Sequence, residues 1–170
     1  YAACFRVMAE ISKQLGKDGN VYRQEYEKLT AAIEKFFWDE EKGAYIDSFT
    51  SGKRNVTRHA NIFAILFDIA DKQKQEKILK NVLENDEIPA ITTPYFNFFE
   101  LDVLCQMGKL TEVLDKIRSY WGGMLDLGAV TFWEEYDPSV PKEEQYDMYG
   151  DHFGKSLCHA WAASPIYFLA

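Results

Sequence analysis

Helices of two kinds alternate along this chain, and that alternation constrains its fold more than any other feature. From Tyr22 the apolar positions run Tyr22, Tyr26, Leu29, Ile33 and Phe36, steps of four and three that trace one stripe of a helix whose other face is wet. The segment before it, Ala2 to Leu15, is apolar more broadly (Ala3, Cys4, Phe5, Val7, Met8, Ile11), and a short turn from Gly16 to Gly19 joins the two. The pairing recurs. His59 to Ala70 is apolar nearly all round, whereas the helix near Lys74 to Glu84 offers only Ile78, Leu79, Val82 and Leu83. Thr93 and Pro94 stand as N-cap and first helical residue of a third apolar helix, Tyr95 to Met107, which Gly108 ends. Its partner, Thr111 to Tyr120, shows a single stripe of Val113, Leu114, Ile117 and Trp121. The last segment, Gly154 to Ala170, is again apolar all round, and Pro165 is expected to kink or break it.

A helix that is apolar all round must be surrounded, and one with a single stripe lies outside it. The pattern therefore predicts an all-α fold, a layered ring of helical hairpins in which buried and covering helices alternate. No fixed repeat period appears, which argues against an open solenoid. Connections leaving a buried helix are short, and those entering one are long: Trp38 to Thr57, Asn85 to Thr93 and Gly122 to Phe153. The long loops thus fall where the buried helices present their N-termini, whose dipoles favour anionic groups, and loops of such length usually carry function. One of them, Trp38 to Tyr45, predicts a small hairpin turning at Lys42-Gly43. The chain starts inside one apolar helix and stops at the end of another, so it is expected to be a segment of a larger helical ring.

Composition narrows the function classes. With 19 Lys+Arg against 27 Asp+Glu the formal charge is −8, and no basic cluster offers the footprint that a phosphate backbone needs. No nucleic-acid partner is expected. No apolar run reaches the length of a membrane span, and no signal-peptide layout opens the chain. Cys4, Cys105 and Cys158 are odd in number and sit in apolar runs, the pattern of small core residues rather than of a disulfide framework or a metal knuckle. No carboxylate or cysteine stands at ligand spacing from His152 or His159, so no metal or other cofactor is expected. No nucleophile elbow, phosphate loop or dinucleotide fingerprint occurs. The charge is uneven. Between Glu134 and Asp151 there are seven acids and one base, Lys142, a net −6 that leaves only −2 for everything else.

That acidic loop holds the most informative stretch, Gly128-Ala-Val-Thr-Phe-Trp-Glu-Glu-Tyr-Asp137. Two adjacent carboxylates, Glu134 and Glu135, directly follow Phe132 and Trp133. A carboxylate beside a bulky aromatic suits general acid/base work on a sugar, because the ring plane takes the C–H face while the carboxylate handles a proton or a water. A solvated acidic loop with a tryptophan tucked beneath it accounts for the same residues. His159, read as lying in the last buried helix near the loop face, is either a donor to a substrate hydroxyl or a satisfied core histidine. Arg58-His59 has the same ambiguity. Aromatic residues in or beside the long loops, Trp38, Tyr95, Trp121, Tyr136 and Tyr146 among them, either pack or line a groove.

The order of Leu15-Gly16, Phe37-Trp-Asp-Glu-Glu-Lys-Gly-Ala-Tyr45, Gly122-Gly-Met-Leu, Gly128-Ala-Val-Thr-Phe-Trp-Glu134 and Ser156-Leu-Cys-His-Ala-Trp161 resembles the bacterial α-L-rhamnosidases of glycoside hydrolase family 78. The likeness spans the whole chain, and its most specific parts are Thr-Phe-Trp-Glu and Ser-Leu-Cys-His. It implies the C-terminal portion, residues 1–170, of an (α/α)6 catalytic toroid. It further implies an inverting hydrolase of terminal α-linked L-rhamnose in glycosides or polysaccharides. By the resemblance, Glu134 is the general base, with Glu135 the competing candidate, and His159, Trp133 and Trp121 are sugar-site residues. The family's general acid lies upstream in a Gly-Trp-x-x-Asp region that this sequence does not contain. The isolated chain is thus expected to be inactive without the remaining half of its own domain, in a periplasmic or cytoplasmic bacterial enzyme. Two other readings stay open: a non-catalytic helical scaffold that binds a protein or glycan, and a toroid glycosidase for another sugar.

Overall fold

The helical stripes form helices where their spacing predicts, and the departures in helix length lie at turns, backbone pairing or a close approach that the apolar pattern does not carry. The computed structural model describes residues 1–170 as seven α-helices, a two-stranded sheet and short π and 3-10 turns. The chain divides into two compact units, Tyr1–Pro89 and Ala90–Ala170. No helix is long and apolar enough to cross a membrane.

In the first unit α1 (Ala2–Gln14) packs against α2 (Asn20–Phe37). Gly19 permits the approach, since a Cβ there would stand 2.9 Å from the Ala9 carbonyl oxygen. The apolar surface of α1 is wider than its partner covers. Val7, Met8, Ile11 and Leu15 are exposed, and so is Cys4, so within this unit α1 is not the surrounded helix its composition predicts. The predicted hairpin is present as β1 (Trp38–Asp39) paired antiparallel with β2 (Ala44–Tyr45). Its turn uses Gly43 at φ +58°, and Asp39 Oδ1 accepts the N–H groups of Glu41 and Lys42 at 3.0 and 3.1 Å. A further bridge, Ile46 to Val56, folds the rest of this long loop back on itself.

Helix α3 (Arg58–Leu66) stops before the predicted Ala70. Asp68 takes φ +55°, and the N–H groups of Ile69 and Ala70 both turn back to the Ala64 carbonyl at 2.9 Å. Helix α4 (Lys72–Ile78) is capped by Asp71, which accepts from Lys74 N–H at 2.9 Å, and continues as a π turn over Leu79–Leu83. Its predicted stripe of Ile78, Leu79, Val82 and Leu83 is buried.

In the second unit α5 (Pro94–Gln106) starts at Thr93 and ends at Gly108, which takes φ +73°. Helix α6 (Leu110–Asp126) runs straight through Gly122 and Gly123, beyond the predicted end at Tyr120. The glycine at 123 is there for packing rather than for breaking: a Cβ would stand 2.4 Å from the Tyr136 hydroxyl oxygen. The last segment is not one helix. Residues 154–159 are irregular, a 3-10 turn covers Ala160–Ala162, and only Ser164–Leu169 form a helix, α7, with Pro165 in its first turn. Cys158, exposed, and Cys105, half-buried, complete the correction to the core-cysteine expectation.

Candidate active site

The reason the last segment is not helical is also what builds the site. Residues 131–134 and 156–159 run side by side and exchange backbone bonds, a pairing that helical geometry forbids. His159 N–H donates to the Phe132 carbonyl at 2.8 Å, Glu134 N–H donates to the Ser156 carbonyl at 2.9 Å, and the Thr131 hydroxyl donates to the Leu157 carbonyl. Ser156 N–H returns a bond to the Glu134 side chain, reaching Oε2 at 3.1 Å. Glu134 is therefore held by one residue through both its backbone and its carboxylate. Its side chain is only 11% exposed.

His159 lies in extended backbone at the head of the 3-10 turn, not inside a helix as the apolar pattern predicts. The pairing nevertheless brings it to Glu134, with Nδ1 3.8 Å from Oε2. That separation is too long for a hydrogen bond, and the buried Nδ1 has no other partner. The imidazole stacks on Trp161, centroids 4.1 Å apart and planes 21° from parallel, and Trp161 in turn meets Tyr95 at 5.3 Å. Trp161 and Tyr95 are 46% and 43% exposed, so this edge of the site is an aromatic surface open to a ligand.

The other predicted sugar-site residues lie elsewhere in the packing. Trp133 is 3% exposed and meets Tyr146, centroids 5.7 Å apart. Trp121 is 6% exposed, and its indole N–H donates to the Ala162 carbonyl at 2.8 Å. Both rings lie beneath the surface, and the exposed indole is Trp161, stacked on His159. Its signal in the sequence was its place two residues after His159.

Glu135 has a different environment from its neighbour. Its Oε1 accepts the Thr92 hydroxyl at 2.7 Å, and its Oε2 lies 3.9 Å from the ammonium of Lys155. Tyr136 N–H donates to the Thr92 carbonyl at 3.0 Å, and the Tyr120 hydroxyl donates to the same oxygen at 2.5 Å. Burial pushes the Tyr120 hydroxyl far above its usual range. The acidic stretch is thereby tied to the residue just ahead of α5. The rest of the acidic loop is ordered by short local bonds. Tyr149 and Gly150, both at positive φ, make a tight turn in which Met148 and Asp151 exchange backbone bonds at 3.0 Å. His152 pairs with Asp147 at 2.6 Å on the exposed rim. No group of three or more His, Cys, Asp or Glu side chains gathers into a metal site. Arg58, the other cation singled out by the sequence, is 6% exposed and donates to the Leu83 carbonyl at 2.9 Å, a structural anchor.

The mostly helical fold resembles the six-hairpin glycosidase domain of rhamnosidases. The chain belongs to the bacterial alpha-L-rhamnosidase six-hairpin glycosidase domain family, whose model matches residues 1–170. Among solved structures it is similar to a rhamnosidase from Klebsiella oxytoca with rhamnose bound, at 29% identity and a TM-score of 0.80, covering 99% of this chain and 32% of that one. It is also similar to the family 78 rhamnosidase of Bacillus sp. GL1, at 26% identity and a TM-score of 0.79, covering 99% of this chain and 18% of that one. The chain thus spans a third or less of the length of these neighbours. No curated protein matches it.

Proposed function

We propose that this chain is the C-terminal portion of the catalytic domain of an inverting α-L-rhamnosidase, with Glu134 as its general base. The observation that carries the reading is the arrangement around one carboxylate. Glu134 is buried and fixed by Ser156 N–H, and it faces the unpartnered Nδ1 of His159 at 3.8 Å, whose ring stacks on the half-exposed Trp161. Family membership and the rhamnose bound to the Klebsiella neighbour support rhamnose as the sugar.

In an inverting hydrolysis a carboxylate takes a proton from water as the water attacks the anomeric carbon, while an acid on the opposite face protonates the departing oxygen. Here the Ser156 amide orients one carboxylate oxygen and leaves the other to receive the proton. Trp161 and Tyr95 offer ring faces to the sugar's C–H surface, and Trp133 and Trp121 support the loop from beneath. The general acid comes from outside these 170 residues, at about 6.5–9.5 Å from Glu134, the span that admits a water.

Glu135 fits the base role less well, because its Oε1 already accepts the Thr92 hydroxyl at 2.7 Å and the Lys155 ammonium, 3.9 Å from its Oε2, is an ion-pair partner rather than a hydrogen-bond donor. The test is turnover of an aryl α-L-rhamnoside by the complete enzyme carrying Glu134→Gln or Glu135→Gln. Loss of a positioned base costs about 10²- to 10⁴-fold, so Glu134→Gln falls by that order and Glu135→Gln by much less. Near-normal turnover by Glu134→Gln contradicts the assignment.

A further inference from the structure

Glu134 and Ser156 are bonded across the paired loops, and the residues next to each of them, Glu135 and Lys155, face one another as well. Lys155 follows the acidic loop directly and is its one buried cation: the side chain is 4% exposed, and its ammonium lies 3.9 Å from Glu135 Oε2. Its backbone N–H donates to the Tyr146 carbonyl at 3.1 Å, so its main chain is held too. Burial pushes the Lys155 ammonium down from its ordinary range, and the carboxylates of Glu135, Asp137, Asp147 and Glu134 offset that only in part. A buried lysine carries a desolvation cost that a neutral residue of similar length would not, so nothing in packing alone calls for a charge at this position.

We propose that Lys155, Glu135 and Thr92 form a positioning clamp for the Glu134 carboxylate. The ion pair between 135 and 155, a charge contact at 3.9 Å rather than a hydrogen bond, draws together the segments that carry 134 and 156, the two residues whose bond aims the carboxylate. The Thr92 hydroxyl, at 2.7 Å from Glu135 Oε1, ties the same unit to the head of α5. None of the three takes a proton from the attacking water in this account. They act through the Glu134–Ser156 bond, and the inference rests on the rhamnosidase reading given above.

A clamp that only aims a catalytic group changes kcat and leaves substrate affinity alone, and a displacement of about 1 Å at such a group is worth up to about a hundredfold. In the complete enzyme assayed on an aryl α-L-rhamnoside, Lys155→Met and Glu135→Gln are each expected to lower kcat roughly tenfold with KM within about twofold. Lys155→Arg restores most of the loss, because a cation again meets Glu135. The double variant loses no more than the worse single one, since each change breaks the same link. Losses that multiply in the double variant, a KM effect without a kcat effect, or an arginine variant as poor as the methionine one overturn the clamp. If Lys155→Met does not fold, Glu135→Gln and Thr92→Val, both nearly isosteric, carry the same comparison. Wild type and Glu134→Gln assayed alongside separate the two layers of the account. A wild-type enzyme inactive on aryl rhamnosides overturns the rhamnosidase reading and the clamp with it, whereas an active wild type with unimpaired clamp variants overturns the clamp alone.

Discussion

Helices α3 and α5 open in the same way and serve different ends. Each starts after a threonine, Thr57 or Thr93, and each carries four residues later an asparagine with no exposed surface, Asn61 or Asn97. Asn61 Nδ2 donates to the Thr57 carbonyl at 2.8 Å and to the Tyr45 carbonyl at 2.9 Å. Asn97 Nδ2 donates to the Thr93 carbonyl at 3.2 Å and to the Ile91 carbonyl at 3.0 Å. At α3 the bonds then close on themselves: Tyr45 N–H returns to Asn61 Oδ1 at 2.8 Å, and the Tyr45 hydroxyl pairs with Glu34, itself paired with Lys74. The hairpin carboxylate of Asp39 is likewise fully used, by two backbone N–H groups and by Arg54 at 2.7 Å. At α5 the same asparagine device fixes Ile91 and Thr93, the two residues flanking Thr92, onto which Glu135 and Tyr136 are fastened, and the neighbouring Glu134 keeps unfilled capacity toward His159. One head is a sealed joint and the other is the mounting for a reactive group. A buried polar network becomes a candidate site where its partners stop short of satisfying it.

The sharpest way to break this comparison is to replace each asparagine by leucine in the complete enzyme. Asn61→Leu strands the Tyr45 N–H and C=O in the core, at about 1–3 kcal/mol per unsatisfied group. It is expected to lower thermal stability by about 2–4 kcal/mol while kcat of the folded enzyme stays within about twofold. Asn97→Leu is expected to cost less stability and to lower kcat about tenfold through the displaced Thr92. Equal effects of the two on kcat would erase the distinction.

A smaller effect separates the exposed tryptophan from the buried ones. Trp161→Ala removes a ring face worth about 0.5–1.5 kcal/mol and is expected to raise KM up to about tenfold without unfolding the protein. Trp133→Ala instead opens a cavity and costs about 3–5 kcal/mol of stability. Finding the KM effect at Trp133 and none at Trp161 would reverse the assignment of the sugar platform.

The smallest effect concerns acid. Burial opposes the charge on Asp39, but Arg54 and the N–H groups of Lys42 and Glu41 outweigh it and hold the carboxyl below the usual carboxylate range. The folded state then binds its proton more weakly than the unfolded one. The contribution of Asp39 is fully present above the unfolded value of about 4 and is lost as pH falls through the lower folded value. Asp39→Asn is expected to flatten part of the fall in thermal midpoint below about pH 4, with no change in the kcat profile near neutrality. An unaltered acid slope would show that the hairpin pair contributes nothing.

Much of this was legible in the sequence, and the rest was hidden for identifiable reasons. The stripe of α2, the turn at Lys42-Gly43 and the start of α5 at Thr93-Pro94 follow from spacing and local backbone chemistry, which act over a few residues. The end of α6 was hidden because Gly122-Gly123 looks like a break, and only the distant Tyr136 explains a glycine within the helix. The final segment was hidden because a continuous apolar run fits a helix and an extended segment equally well, and neither burial nor pairing of Leu157, Cys158 and Trp161, all exposed, can be read from it. Trp133 and Trp161 are the same residue type in similar surroundings, and which one faces solvent depends on the pairing of residues 131–134 with 156–159. Lys155 left a faint trace, a cation four residues beyond the stretch of net charge −6. Proximity of Glu134 to His159 was implied by the family resemblance, although the helix expected to carry His159 does not form there.

The most direct measurement of the central claim is azide rescue of Glu134→Ala in the complete enzyme. Azide is already anionic and needs no base, so it replaces the water that Glu134 would have activated. With an aryl α-L-rhamnoside and added azide, the account predicts that turnover recovers in proportion to azide and that the product is the β-L-rhamnosyl azide, formed with inversion. An α-configured azide, or a Glu134→Ala enzyme that azide leaves inert while Glu135→Ala is rescued, would contradict it.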